Sequence, residues 1–469
     1  MAAHEGIHGA AAPNSAAPCS AFDSHHPPPA KLIDECVHCG FCLPTCPTYS
    51  LWGEEMDSPR GRIYLMKMAS EGLVQLEDTF VQHFDRCLGC MACMTACPSG
   101  VKYDKLFEAT RAQIVRNYTP PLSGRLLRGM ILSLFPNTGR LRVMAKFLWL
   151  YQRSGLQSLA RSLGVSRILS ARLRAMEALL PDLTRPGVSA RMPARVAAQG
   201  ETRLRVGLLL GCVQSVFFSD VNAATARVLA AEGCEVIMPP AQGCCGSLMM
   251  HSGWEKEGLD RARALIDAFA TERVDVIATN AAGCGSNLKN YGYQLRDDPQ
   301  YAAKSEDFAA RCKDISEVLA MLPPRAERGP LPLRVAYHDA CHLQHAQGVR
   351  SAPREVLGTI PGLEILEVPE SAICCGSAGI YNMMEPVPAQ ELGDRKVKNC
   401  LETGAELIAS SNPGCLLQLQ AGMARAGQHL PVVHMIELLD ASLRHLPAKS
   451  LLPTVTGSGS ARNMSADRN

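Results

Sequence analysis

The sequence predicts a multidomain chain of mixed α+β and α/β class: a helical cysteine-rich module, a basic helical linker, and two tandem α/β units built around Cys-Cys-Gly triplets. Three observations predict it. Eight cysteines crowd into residues 31–118, none occurs in residues 119–200, and eight of the eleven in residues 201–440 recur at an interval of 129–131. The 469 residues, 47% hydrophobic and 20% charged, suffice for several folded units with their own cores.

Residues 1–30, "MAAHEGIHGAAAPNSAAPCSAFDSHHPPPA", lack a basic start followed by an apolar run, so no cleavable leader is expected and the segment reads as a flexible tail. No stretch of about 20 apolar residues suggests a membrane-spanning helix. Twenty cysteines in such a chain point to a reducing cytoplasmic setting, where clustered thiols bind metals or do redox chemistry rather than form disulfides. Cys19, in the tail, is given no ligand role, and residues 441–469 read as a second tail.

The first module, residues 31–118, contains "CVHCGFCLPTCP" and "CLGCMACMTACP", both C-x2-C-x2-C-x3-C-P. This is the spacing of bacterial-type ferredoxins that carry two [4Fe–4S] clusters: a tight loop wraps three iron corners and the fourth thiolate comes from across the domain. The motif assigns one cluster to Cys36, Cys39, Cys42 and Cys97, and the other to Cys87, Cys90, Cys93 and Cys46. Zinc also takes four cysteines, but usually as two separated C-x2-C pairs. Pro47 and Pro98, without an N–H, favour a turn after each fourth cysteine. The intervening "SPRGRIYLMKMASEG" predicts an inserted helix. Paired cubanes serve single-electron transfer, so no catalytic residue is assigned.

The second block, residues 119–200, hides the chain's charge asymmetry. Net charge is +2, but residues 121–196 carry thirteen Lys or Arg against Glu177 and Asp182, a local +11 against −9 for the rest. "RLLRGMILSLF", "RLRVMAKFLWLYQ" and "LSARLRAMEALLP" place apolar residues at helical spacing among these cations, predicting amphipathic helices suited to an anionic lipid surface or an acidic partner. Without a groove-reading module, nucleic-acid binding is not expected.

The third block is duplicated. Cys212, Cys244, Cys245 and Cys284 are answered by Cys341, Cys374, Cys375 and Cys415 at offsets of 129–131, giving a first unit at residues 201–325 and a second at 326–440. In each, short apolar runs such as "LRVGLLLGC" and "LRVAYHDAC" alternate with helical segments, an α/β pattern with cysteines at strand ends. Gly246 and Gly376 supply the turn that lets adjacent cysteines converge. Each set is a candidate site for an additional iron–sulfur or zinc centre; neither is required by the spacing. His338, His342 and His345 in "YHDACHLQH" are expected to hydrogen-bond around the cysteine loop, with His342 the candidate support for a metal ligand. The lone tyrosines and methionines of both units read as packing.

At these triplets the sequence resembles the cysteine-rich domain family of heterodisulfide reductase and of the iron–sulfur subunits of anaerobic glycerol-3-phosphate dehydrogenase and glycolate oxidase. That pattern ends in C-x2-C, whereas "GCGSNL" and "GCLLQL" place Asn287 and Gln418 at the last position. The order of modules, with "DSPRGRIYLMK", "HDACHLQHAQG" and "ICCGSAGIYN", is most similar to the glycolate oxidase iron–sulfur subunits. The resemblance implies an electron-transfer subunit of a glycolate dehydrogenase complex, with FAD-binding subunits oxidising glycolate to glyoxylate and a quinone or other acceptor taking the electrons. The clustered thiols and the basic linker together suggest a cytoplasmic chain, with the inner face of the membrane a candidate peripheral site. Another 2-hydroxy acid such as D-lactate, glycerol 3-phosphate, or thiol/disulfide chemistry are the alternatives. No G-x-G-x-x-G fingerprint follows a strand, so hydride chemistry within this chain is not expected.

Overall fold

The computed structural model describes residues 20–163, 170–181, 183 and 192–452. Cys19 and the tail assignments over 1–19 and 453–469 lie outside the described residues.

The first module is helical. Helices Pro59–Ser70, Asp78–Asp85 and Tyr103–Asn117 bury Ile63, Met66, Phe80, Phe84, Leu106 and Phe107 in a common core. Ser58 caps the first of these, its hydroxyl accepting from the Gly61 N–H, with Pro59 at the first position where no N–H is needed. Residues 20–29 are not a tail: Phe22 is buried against Phe80, and Asp23 is held by Arg116, Gln113 and Asn117. Burial of one aromatic ring and a fully partnered carboxylate anchors what the polar, proline-rich sequence presented as loose. Pro98 is followed by a turn, whereas Pro47 opens helix Pro47–Trp52 with Cys46 as its N-cap. A proline that cannot continue one helix is well suited to begin the next.

The linker forms helices Leu122–Leu134, Thr138–Arg153, Leu156–Ser162 and Ala171–Ala178. The second buries Leu141, Ala145 and Leu148 and exposes Arg142, Val143, Lys146, Phe147 and Leu150. Its solvent-facing side is therefore both basic and apolar, a composition that water alone does not favour.

Nine strands in the described residues make two sheets. The first runs β1-β3-β2-β4-β5, with β1 (Arg195–Val196), β2 (Leu204–Leu209), β3 (Cys234–Ile237), β4 (Val276–Thr279) and β5 (Cys312–Asp314). The second runs β7-β6-β8-β9, with β6 (Leu333–His338), β7 (Leu363–Glu367), β8 (Leu407–Ser410) and β9 (Val432–His434). Apart from the antiparallel edge β1, all pairings are parallel and the two orders coincide, as the duplication predicts. Two boundaries move. β1 pairs with β3 inside the stretch read as linker, and Ala441, Ser442, Leu446 and Leu451 pack beyond residue 440, so the second unit continues to 452.

The units clasp each other in a pseudo-twofold manner. Helix Ser219–Ala231 of the first packs on Met435–Leu443 of the second, and Ser351–Leu357 of the second packs on Ile315–Ala320 of the first. Arg227 clamps Asp440 through two hydrogen bonds of 2.8 and 2.7 Å across this seam, and one continuous apolar core spans both units.

Candidate functional site

In both sheets the cysteines follow the C-terminal ends of the strands. Chain order goes from β2 to one side (β3) and then across to the other (β4), so the loops after these strands flank a crevice at the point of reversal. Cys212 follows β2, Cys244 and Cys245 follow β3, and Cys284 follows β4. The second unit repeats this with Cys341, Cys374, Cys375 and Cys415.

The glycine turn does what adjacent thiols need. Gly246 and Gly376 have φ of +80° and +84°, and a Cβ on Gly376 would lie 2.4 Å from the Ala389 carbonyl oxygen. Both left-handed backbone and close approach exclude a larger residue. The thiols meet in turn: Cys212 with Cys244, Cys244 with Cys245, Cys245 with Cys284. In the second set Cys341 Sγ is 3.8 Å from Cys374 Sγ, and Cys375 touches both Cys374 and Cys415. Hydrogen bonds from neighbouring thiols hold Cys244 and Cys375 well below the usual thiol range, so each set contains one readily ionised sulfur.

The positions lacking a fifth cysteine are structural. Asn287 donates to the Cys245 carbonyl at 2.7 Å, and Gln418 donates to the Ala389 carbonyl at 2.8 Å, the same oxygen that crowds Gly376. Asn287 thus braces the first triplet backbone directly, and Gln418 holds the helix carbonyl that packs on Gly376. His338, not His342, stands beside the thiols: His338, Cys375 and Cys415 bring ligand atoms within 4.8 Å of one another. The first unit has Leu209 at the corresponding position, so only the second set gains an imidazole. His342 instead meets the Gly89 carbonyl at 3.0 Å, and burial with nearby His251 pushes its pKa down to about 4. His345 hydrogen-bonds Thr95 and the Ala372 carbonyl. The expected bonding role holds for these two: His345 braces the loop before Cys374 through Ala372, while His342 and the His345–Thr95 bond tie the second unit to the ferredoxin-type module.

In that module Cys36, Cys39, Cys42 and Cys97 wall one small cavity together with Cys93, and Cys36 faces Cys97 and Cys39. Cys93 faces Cys90, Cys87 and Cys46, its thiol pushed up by burial and by those neighbours. Left-handed residues His38, Gly40, Gly89 and Met91 curl the two loops around their cysteines. Eight soft donors in two groups of four fit a pair of cubanes. Cys90 also packs in one apolar cluster with Cys341 and Cys374, joining the second group to the second unit.

Sequence reasoning missed the buried charges behind the second group. Arg62, fully buried, donates to the His83 and Asp57 carbonyls and to Thr48, whose hydroxyl lies 3.2 Å from Cys46 Sγ. Asp57 pairs with Arg62, His83 and Arg86. Burial opposes the Arg62 charge, but Cys87, Tyr103, Cys46 and Asp57 outweigh it and raise its pKa. "SPRGR" displays the arginines, yet nothing in one sequence shows that the second of them is enclosed.

A cavity of about 870 Å³ joins all these parts. Cys87, Leu88 and Gly89, the thiols of both repeats, and the linker residues Ile131, Leu134, Met144 and Leu148 line it. Tyr381, expected as packing, lines it too.

Comparison with known proteins accords with this architecture. A 4Fe-4S dicluster domain matches residues 32–101, the linker region of the glycolate oxidase iron-sulfur subunit matches 123–180, and a cysteine-rich domain matches 206–289 and 335–420. A probable glycolate oxidase iron-sulfur subunit of Bacillus subtilis (strain 168) is 40% identical over 416 residues, 87% of this chain and 94% of that protein. The glycolate oxidase iron-sulfur subunit of Escherichia coli (strain K12) is 37% identical, over 88% of this chain and 95% of that one. Lactate utilization protein A of Geobacillus kaustophilus (strain HTA426) is 30% identical, its match covering 51% of this chain and 99% of that protein. With dicluster module, linker and both cysteine-rich units all matched, the chain belongs to the glycolate oxidase iron–sulfur subunit family.

Proposed function

We propose that this chain is the electron-transfer subunit of a glycolate oxidase complex, receiving electrons from FAD-binding subunits that oxidise glycolate to glyoxylate. The observation that carries this reading is the packing of Cys90 in one apolar cluster with Cys341 and Cys374, which brings the dicluster module against the second cysteine-rich unit. In it, Cys36, Cys39, Cys42 and Cys97 hold one [4Fe–4S] cluster and Cys87, Cys90, Cys93 and Cys46 the other. Such clusters supply one-electron redox chemistry when bound. The thiol sets of the repeats are candidate further centres, the second with His338 as an added donor.

The test is to mix the anaerobically purified chain with the flavin subunits and glycolate. Bleaching of the iron–sulfur absorbance supports the reading; preferential bleaching by D-lactate or glycerol 3-phosphate would reassign the substrate, and no bleaching with any of them would overturn it.

The linker suits a peripheral site at an anionic membrane. No helix among the described residues is long and apolar enough to cross a bilayer. Leu126, Met130, Phe147, Leu150 and Leu159 are exposed, each more than half accessible, among Arg140, Arg142 and Lys146. A basic residue at an anionic surface contributes about 1 kcal/mol, so replacing Arg140, Arg142 and Lys146 by Gln weakens cosedimentation with phosphatidylserine vesicles by roughly two orders of magnitude at low salt. Unchanged cosedimentation would exclude this face as the contact.

A further inference from the structure

The lining of the cavity at the meeting of the three parts is of two kinds. Cys87 of the dicluster module and the thiols of both repeat sets contribute sulfur. The side made by the linker helices is apolar, walled by Ile131, Leu134, Met144, Leu148, Met176 and Leu180. Four lining residues carry a buried polar atom without a hydrogen-bond partner: Tyr381 Oη, Gln214 Oε1, His251 Nε2 and Arg111 Nε. Tyr381 is 5% exposed and Gln214 3%. Buried polar groups are rarely left so. Arg111 is otherwise spent on Asp85 and the Phe84 carbonyl, so the unsatisfied atoms of Tyr381, Gln214 and His251 mark where a ligand's polar groups belong.

The rest of each side chain is committed. Gln214 Nε2 donates to Asn280 Oδ1 at 2.9 Å, leaving its oxygen to accept from a hydroxyl. His251 Nδ1 faces Glu108 at 3.1 Å, leaving Nε2 toward the ligand. The Tyr381 hydroxyl donates or accepts, as suits a carbonyl or a hydroxyl. Its charge environment is set in part by Cys87 and Cys374, so it stands between the dicluster module and the second repeat. The ligand thus has an apolar body that fills the linker end, and oxygen groups that alternate between carbonyl and hydroxyl. Met130 lines the apolar end and is itself 52% exposed, so this wall is continuous with the basic, apolar outer face of the linker.

We propose that this cavity is the binding site for a quinone, its ring held by Tyr381, Gln214 and His251 and its apolar chain running along the linker helices. The proposal rests on the electron-transfer reading above. On reduction the ring takes up two electrons, drawn from the 2-hydroxy acid oxidised in the flavin subunit, and two protons from solvent. Each carbonyl oxygen gains a proton to become a hydroxyl, and no bond to carbon is broken.

The test uses the full chain with its clusters and a decyl-substituted benzoquinone. The quinone is expected to quench Trp or Tyr fluorescence saturably, and a photoreactive azido derivative to label peptides containing Tyr381 or residues 130–148. Tyr381→Phe and Gln214→Leu each remove one hydrogen bond and weaken binding about tenfold. Leu148→Trp fills the apolar end and abolishes binding. Iron content and melting temperature show whether each variant folds, and photolabelling of the unaltered protein serves if none does. Labelling elsewhere, or equal competition by decane carrying no carbonyl, would overturn the proposal, the latter by showing a pocket for lipid tails. Reduction of a soluble dye by the unaltered complex with glycolate separates the two readings. If dye reduction occurs without quinone binding, only the site is wrong; if neither occurs, the electron-transfer reading fails with it.

Discussion

Replacing Cys90 by Ser is expected to lower the iron by about four atoms per chain, one cluster's worth, and to reduce electron delivery to any acceptor to background. Cys90 is 8% exposed and packs on Cys341 and Cys374, so its loss removes a donor where the module meets the second repeat. Flavin reduction by glycolate is expected to persist, since in the proposed complex the flavin belongs to other subunits. Iron analysis and stopped-flow absorbance at the flavin band measure both. Unchanged iron would refute the ligand assignment, and loss of flavin reduction would show that the chain does more than relay electrons.

The second large effect is expected at Asp57. Its carboxylate is fully buried and meets Arg62 at 3.3 Å, His83 at 2.9 Å and Arg86 at 2.8 Å. Asp57→Ala leaves the buried Arg62 cation without its counter-charge, and breaking such a pair costs about 3–5 kcal/mol. Because Arg62 also holds Thr48 beside Cys46, the variant is expected to lose iron from the second group first. By contrast Lys67→Ala removes a pair with Asp34 whose members are 42% and 64% exposed, and changes stability by less than about 1 kcal/mol. Urea unfolding of the iron-loaded protein, followed by fluorescence and by cluster absorbance, compares the two. Equal midpoints for both variants would refute the buried network as a support of the module.

The parts legible in the sequence were those written as local patterns. Strand β2 in "LRVGLLLGC" ends as the apolar run nears Gly211, and β6 in the matching "LRVAYHDAC" ends at His338, before Asp339. Cysteine spacing marked the repeats, and Gly246 and Gly376 took the turn their position demanded. What escaped were contacts between distant segments. His338 and His342 differ by four positions and look alike in sequence, yet one meets Cys375 and Cys415 while the other reaches Gly89 in another module. Phe22 and Asp23 sat in a polar segment whose anchors, Phe80 and Arg116, lie far along the chain. The central cavity is assembled from all three blocks, so no window of sequence contained it. In sequence Asn287 and Gln418 look like losses from a cysteine pattern, whereas the Asn287 amide holds the Cys245 carbonyl and the Gln418 amide the Ala389 carbonyl that packs on Gly376.

The pseudo-twofold clasp gives the duplicated cysteines different neighbours. Cys212 and Cys244 of the first unit pack with Leu141 and Ala145 of the linker, while Cys341 and Cys374 of the second pack with Cys90. Two copies that began as the same fold have become opposite banks of one chamber, one turned toward the entrance helices and the other toward the electron source. A division of labour between twins needs no new architecture: the duplication provides a matched pair of walls, and what docks on each gives it a direction.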